Sequence, residues 1–418
     1  MINNLLVIVG AGLSGSIGPG VPLMQTVFKE SKRFLDDDVI LSALIVLEAE
    51  RIFRKRDSNL ENLAAALLLT KPDSSDYLEL KEAFKKRFVN SGDRNSEDFE
   101  EVFSRAAEIS NSGGSDRSYQ RLLFFVNSLF VRLAQGFPLA AENKLDLLAS
   151  FIRDNIAREN HPDTTVVSFN YDLWTENALW RTGVWNPFIG SGRQFGYGIK
   201  LRGCLTPDSA ARDQQQFERM MHRGAIAASP ATFLEPPAEI RGDAPGCLVL
   251  KPNGCLGWLH DTRNWDSAPV LRVSDESWKS PPTYHDPYFI HFPPITEYPV
   301  ISQYVPLIVP PTRFKRRNHP AFWETDNQLK QRIIAARVVV IIGWSLPETD
   351  VDYESLLNRA VWERDRQVEL LAVCDRNPNE SFYHRFENIF RPKRQVFRWD
   401  KGFDEGFISE LATALKRI

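Results

Sequence analysis

Leu5-Leu6-Val7-Ile8-Val9-Gly10-Ala11-Gly12-Leu13-Ser14-Gly15 opens the chain on an uninterrupted apolar run that ends in a glycine turn and small residues. Such a run reads as a strand buried on both faces, leading into the start of a helix. Glycine at this kind of turn lets the backbone approach a diphosphate, and the amides of a helix start face the anion. Gly10, Gly12 and Gly15 satisfy Gly-x-Gly-x-x-Gly, a dinucleotide signature that a merely tight structural turn also satisfies. Its meaning depends on which other segments converge on it.

Working outward, the α/β pattern resumes at Thr164-Thr165-Val166-Val167-Ser168-Phe169-Asn170, at Val338–Ile342 capped by Gly343, and at Val368–Cys374. Helices are expected after these strands, through Trp174–Trp180, from about Val351 to Arg364 and at about Phe407–Arg417, with another at Asn327–Ala336. Near-continuous apolar strands alternating with helices predict an α/β fold: a Rossmann-like parallel sheet with helices on both faces. Residues 23–158 read as mainly helical, with apolar spacing at Val39–Leu47, Leu60–Leu69, Tyr119–Leu133 and Leu145–Ile156. Polar breaks at 90–96 and 111–118 separate these helices, and Glu97, Asp98, Glu100 and Glu101 crowd the start of one. The predicted organisation is a discontinuous α/β domain over 1–22 and 159–418, with a large helical insert or lobe over 23–158. A proline-, glycine- and aromatic-rich stretch covers about 185–325, with short strands expected at Cys247–Lys251 and Tyr304–Val309.

The bulk numbers narrow the function classes. The 418 residues can bury a large core, and 43% hydrophobic with 25% charged residues describes an ordinary globular protein. A net charge of −3 points neither to nucleic acid nor to an anionic membrane. The apolar N-terminus is too short to span a bilayer and lacks the basic flank of a signal peptide, so a cytoplasmic location is expected. Cys204, Cys247, Cys255 and Cys374 form no Cys-x-x-Cys pair. This argues against a zinc ribbon or a disulfide framework, and buried neutral thiols are expected instead.

Four strand ends carry small or polar residues, as the carboxyl edge of an open α/β sheet does where it binds ligands. They are Gly10-Ala11-Gly12-Leu13-Ser14, Ser168-Phe169-Asn170-Tyr171-Asp172, Gly343-Trp344-Ser345-Leu346-Pro347-Glu348-Thr349-Asp350 and Val373-Cys374-Asp375-Arg376-Asn377-Pro378. This set, in this order, resembles the sirtuin-like (silent-information-regulator-2-like) NAD-binding family, and more specifically its bacterial antiphage-defence branch. The resemblance implies that Gly10, Ala11, Gly12 and Ser14 hold the NAD diphosphate and that Asn170, with Asp172, lies at the nicotinamide ribose. It matches the Gly-Tyr-Ser-Leu-Pro-x-Thr-Asp segment at Gly343–Asp350, with Trp344 in place of tyrosine. Gly343, Ser345, Asp375 and Asn377 are the further candidate NAD-binding residues. Pro306–Pro311 is similar to the family's proline-rich strand. The resemblance covers about half the chain and leaves the helical insert and residues 180–245 unassigned.

Breaking an N-glycosidic bond to nicotinamide builds oxocarbenium character on the ribose, as in glycoside hydrolysis. The chemistry needs an anchored diphosphate, a polar group at the ribose hydroxyls, and something to position or deprotonate the attacking oxygen. The family's catalytic histidine sits in Lys-Leu-His-Gly-Ser, and the counterpart here is Lys251-Pro252-Asn253-Gly254-Cys255. An amide cannot accept a proton near neutral pH, so Asn253 cannot be a general base. Either this version is impaired, or another group such as His260 supplies the base, or Asn253 was engineered to trap a bound state. Plainer readings stand beside these: a strand-end turn and helix cap for Asn170 and Asp172, helix capping for Ser345 and Asp350, and a simple turn at Asn253-Gly254.

Three functions compete. The missing Cys-x-x-Cys pairs, and the absence of Phe-Arg after Gly20-Val21-Pro22, argue against a zinc-bearing deacylase. The resemblance implies an NAD+ hydrolase acting in antiphage defence by NAD depletion, with NAD as substrate, no zinc and no flavin. The alternative is a non-catalytic NAD- or ADP-ribose-binding subunit of a defence complex. A flavin oxidoreductase, suggested by Gly10–Gly15 and Val46-Leu47-Glu48-Ala49, fails on spacing, because Glu48 lies 38 residues beyond Gly10 instead of roughly 20. The resemblance further implies a homo-oligomer and, in some systems, a HerA-type ATPase partner. The insert at 23–158 is a candidate docking surface, or simply a cover for the sheet.

Overall fold

The structure is a computed structural model. It describes residues 4–15, 27–53, 57–71, 74–91, 99–111, 144–155, 164–187, 196–205, 219, 246–261, 267–272, 304–309, 319–347 and 350–418, with several helical positions between 122 and 132.

Among the described residues, ten strands form two sheets. They are β1 (Leu5–Val9), β2 (Thr164–Ser168), β3 (Gly203–Leu205), β4 (Leu248–Leu250), β5 (Gly254–Asp261), β6 (Val270–Arg272), β7 (Tyr304–Ile308), β8 (Val338–Ile342), β9 (Leu370–Cys374) and β10 (Gln395–Trp399). The main sheet runs β10-β9-β8-β1-β2-β4, and every neighbouring pair is parallel. Its six strands taken in chain order have the sequence 3-2-1-4-5-6, the doubly wound arrangement. The expected α/β class and parallel sheet are therefore observed.

The near-continuous apolar strands follow from burial on both faces. All five residues of β1 are buried, as are all five of β8 and β9. Leu5, Val7 and Val9 point into one apolar cluster, shared with residues of the helices Asp38–Ala49, Ser58–Leu69, Lys144–Asn155 and Glu405–Leu415. Leu6 and Ile8 point into another, built with the helices Pro320–Ala335, Val351–Trp362 and Glu380–Phe390. Period-two alternation along β1 thus distributes its side chains to two helical layers. Helices from the 23–158 segment cover one sheet face, which is the plainer of the two readings of that segment. Asp37, Asp57 and Ser74 cap its helices by accepting backbone N–H bonds. Glu97 and Asp98, at the expected helix start, lie outside the described residues; the helix runs Phe99–Asn111.

The second sheet, β3-β6-β5-β7, is mixed: β5 is antiparallel to β6 and β7, and β3 is parallel to β6. The turn Lys251-Pro252-Asn253-Gly254 carries the chain from β4 into β5 and so from one sheet to the other. Neither β5 nor β10 is expected from the sequence; β5 reads as a Gly/Cys/Trp mixture with no alternation, because all eight of its residues are buried. The helix Glu380–Phe390 is likewise unexpected, although its Asn379 cap accepts from the Phe382 amide.

Candidate functional site

In a sheet of this order, the chain leaves β1 in one direction for β2 and later returns on its other side for β8. The crevice for a ligand opens at the carboxyl ends of these strands. Gly10, Asn170, Gly343 and Asp375 all stand one or two residues past the ends of β1, β2, β8 and β9.

The turns after β1 and β8 are locked together. Gly10 N–H donates to the Ile342 carbonyl at 3.0 Å and Gly12 N–H to the Gly343 carbonyl at 2.9 Å. A Cβ on Gly10 would lie 2.5 Å from the Gly343 oxygen, and one on Gly12 would lie 2.9 Å from the Gly343 Cα. Gly343 has φ +60°, and a Cβ there would meet the Leu13 nitrogen at 2.4 Å. These glycines therefore admit each other's backbone, and the amides of Gly10 and Gly12 serve the protein itself. The following helix is one turn, Ala11–Gly15, with Ala11 and Gly12 exposed and Leu13 buried. Ser14 belongs to that turn.

The end of β2 is fastened to the same place. Asn170, 6% exposed, donates its side-chain amide to the Gly10 carbonyl at 3.0 Å. Phe169 N–H donates to the Val9 carbonyl, and its ring lies flat on Trp344 with centroids 4.2 Å apart. Asp172 is buried and accepts from the Trp174 amide at 3.1 Å, just before the helix Trp174–Arg181. The turn reading of Asp172 is thus realised in the fold.

Asn253 sits over the β2 end. Its side-chain nitrogen is 3.5 Å from the Phe169 carbonyl, the outer limit of a hydrogen bond, and its Oδ1 accepts from the Tyr353 hydroxyl at 3.3 Å. The Tyr353 hydroxyl also donates to the Pro252 carbonyl at 2.7 Å. Gly254, with φ +70°, closes the turn by donating to the Lys251 carbonyl, and a Cβ on it would overlap the Leu307 oxygen. Val309 N–H donates to the Asn253 carbonyl, and the Tyr171 hydroxyl donates to the Val309 carbonyl. The segment ending β7 is therefore pinned to both strand ends. It includes part of the stretch 306–311, of which 310 and 311 lie outside the described residues.

Two residues of the sequence-derived alternatives, His260 and Glu48, are both buried. His260 lies on β5 opposite Val305, and its ring packs edge-on against that of His319. Burial, with His319 beside it, also holds its imidazole down to about 4. Glu48 is buried within the helix Asp38–Ala49 and occupies no strand end, which removes the flavin reading's acidic residue.

Asp350 occupies the N-cap position of the helix Val351–Trp362 but makes no capping bond with its side chain. Its carboxylate is buried and accepts from the Trp344 indole N–H at 3.1 Å, which corrects the capping reading. Ser345 is exposed on this loop, and Leu346 is buried in the left-handed region at φ +50°. Arg385 holds the Leu346 carbonyl at 2.5 Å and the Glu354 carboxylate at 2.6 Å. After β9, Gly343 N–H donates to the Cys374 carbonyl, so the Asp375 end adjoins the glycine turn. Burial raises the Asp375 carboxyl pKa against the Arg376 amide it accepts from. Asn377 is exposed at φ +52° and donates its backbone N–H to the Asp400 carbonyl.

Beneath the β2 end lies an ion pair that the sequence does not announce. Lys251 Nζ is 2.9 Å from a Glu176 carboxylate oxygen, and both side chains are fully buried. The same ammonium donates to the Ser168 hydroxyl at 3.1 Å and to the Asp172 carbonyl at 2.9 Å. Burial pushes the Glu176 carboxyl up, and the Lys251 charge pulls it back. The signal available in sequence is a lysine at a strand end, but nothing pairs it with Glu176, 75 residues earlier.

All four cysteines are buried and unbridged, and burial pushes the Cys247 and Cys255 thiols up to about 12. Among the described residues, no helix is long and apolar enough to cross a membrane. No protein-family model matches the chain, and no curated protein matches it either.

Proposed function

We propose that the carboxyl edge of β1, β2 and β8 binds NAD+, and that the protein is a sirtuin-like NAD+ hydrolase acting in antiphage defence by NAD depletion. The observation that carries this reading is the hydrogen bond from Asn170 to Gly10, which unites two of the family's motifs at the switch point of a doubly wound sheet. In the reaction the bond from ribose C1′ to the nicotinamide nitrogen breaks and nicotinamide leaves with the bonding pair. A water oxygen bonds to C1′ and its proton passes to solvent, giving ADP-ribose. Asn170, with Asp172 behind it, is the group for the ribose, and exposed Ala11, Gly12 and Ser345 form the open rim for the diphosphate. Because Gly10 and Gly12 spend their amides on β8 and its turn, the diphosphate would draw on Ala11 and on residues beyond Leu13. Oligomerisation, and docking of a HerA-type ATPase on the helices over 27–155, belong to the same proposal. Light scattering of the purified protein, alone and with such an ATPase, tests them.

Asn253 favours a second reading, an NAD- or ADP-ribose-binding subunit without turnover. Its amide, held by Tyr353 and Phe169, offers no base. Incubation with NAD+ and measurement of nicotinamide release, for the natural chain and for Asn253→His, separates the two. Release by the natural chain supports the hydrolase. Release by the histidine variant alone supports a binding site that lacks only its base. Release by neither, even with a partner supplied, rejects the hydrolase, and absence of NAD+ binding by calorimetry rejects both.

A further inference from the structure

We propose that Lys251 is a positioning residue, an internal strut that holds the Asn170 turn and the Asn253 turn in register with each other. This rests on the NAD+ reading only for its functional consequence; the strut itself is a statement about the fold.

The chemistry of the site singles out this lysine. An ammonium has three donors, and here one goes to the Ser168 hydroxyl at 3.1 Å and one to the Asp172 carbonyl at 2.9 Å, while the charge lies 2.9 Å from a Glu176 carboxylate oxygen as an ion pair. Ser168 ends β2, Asp172 ends the turn that carries Asn170, and Glu176 lies in the first turn of the next helix. Lys251 itself precedes the Pro252-Asn253 turn, whose Gly254 donates back to the Lys251 carbonyl. One side chain therefore spans both segments that carry the amides of Asn170 and Asn253. A buried ion pair is seldom more stable than an apolar pair of the same volume. Fold stability alone therefore does not account for a fully buried lysine at this position, whereas a fixed geometry between two turns does. The neighbouring Leu256 amide donates to the Tyr171 carbonyl, a second tie that only forms when the two turns are in register.

The test uses Lys251→Met with Glu176→Leu, a double variant that replaces the pair by apolar side chains of similar volume. Stability is followed by thermal unfolding, and backbone order by hydrogen exchange at Trp174 and Leu256, with Val340 and Val373 in the sheet as internal controls. The expected result is a melting temperature near that of the natural chain, with exchange at Trp174 and Leu256 at least about tenfold faster and the controls unchanged. NAD+ binding measured by calorimetry is expected to weaken by at least about tenfold in the same variant. Unchanged exchange at Trp174 and Leu256 would overturn the proposal, since the pair would then be replaceable filling. Failure of the natural chain to bind NAD+ overturns the NAD+ reading, while the exchange rates still decide the role of Lys251. If the double variant does not fold, Glu176→Gln decides, because it keeps the lysine's bonds to Ser168 and Asp172. Protection at Trp174 and Leu256 should then persist while global stability drops, and selective loss of that protection would reject the strut.

Discussion

The side-chain amide of Asn170 donates to the Gly10 carbonyl at 3.0 Å, joining residues 160 positions apart where two parallel strands end. The Gly10 oxygen also accepts from the Leu13 amide, so Asn170→Ala leaves it with a partner. The substitution should therefore cost only about 1 kcal/mol of stability. Its effect on ligand binding should be larger, because the amide would sit at the ribose; NAD+ affinity is expected to fall by at least about tenfold. Urea unfolding and calorimetry on one preparation check both parts. Unchanged affinity would remove Asn170 from the site.

Gly343 is a position where the fold does not tolerate a side chain. Its φ of +60° strains any L residue, and an added Cβ would meet the Leu13 nitrogen at 2.4 Å and the Gly12 carbonyl carbon at 2.6 Å. Those contacts are backbone and cannot rotate aside. Gly343→Ala should lose about 2–4 kcal/mol, the sum of left-handed strain and overpacking. The midpoint of urea unfolding reads this directly, and a change under about 0.5 kcal/mol would contradict the interlocked turns.

Long apolar runs make the main sheet legible in the sequence, because strands buried on both faces have no polar positions to blur them: Leu5–Val9 and Val338–Ile342 can be delimited to the residue. The strand ends are legible for the same reason, as glycine and asparagine appear where the apolar run stops. What the glycines accommodate is not legible. A turn that admits a diphosphate and a turn that admits the backbone of Gly343 have the same composition, and only the fold distinguishes them. Of the second sheet, β7 is legible at Tyr304–Val309, whereas β5 escapes sequence patterning because it is buried on both faces yet interrupted by glycine, cysteine and histidine. The Lys251–Glu176 pair and the Trp344–Asp350 bond are invisible, since neither spacing nor pattern relates partners brought together by a crossover or a loop.

Trp344 replaces the tyrosine of the resembling motif, and the fold shows what the larger ring does. It stacks on Phe169 with an interplanar angle of 7° and donates its N–H to buried Asp350. Trp344→Phe keeps an aromatic ring over Phe169 but removes a donor to a buried carboxylate. A loss of about 2 kcal/mol is expected, within the range for a hydrogen bond to a charged group. Trp344→Phe combined with Asp350→Leu should recover part of it, because the carboxylate then no longer needs a donor. A double variant no more stable than the single one would show that Asp350 is held by its other contacts.

His260 gives the fold a predictable response to acid. Burial, then the neighbouring His319, depress its imidazole from 6.5 to about 4, while Asp261 pulls the other way. In the unfolded chain the imidazole takes up its proton as pH falls through 6.5, whereas in the fold it stays neutral until about 4. Between those values the unfolded state binds more protons, so stability is complete above pH 6.5 and is lost progressively on acidification toward 4. The His260 contribution to that loss is on the order of 3 kcal/mol. Carboxylates also titrate at the lower end of this window, so the natural chain must be compared with His260→Gln. Plots of unfolding free energy against pH should converge as pH falls, with the variant's slope between about pH 6.5 and 5 close to flat. Parallel slopes for the two proteins over that interval would mean that His260 is accessible to protons in the folded state.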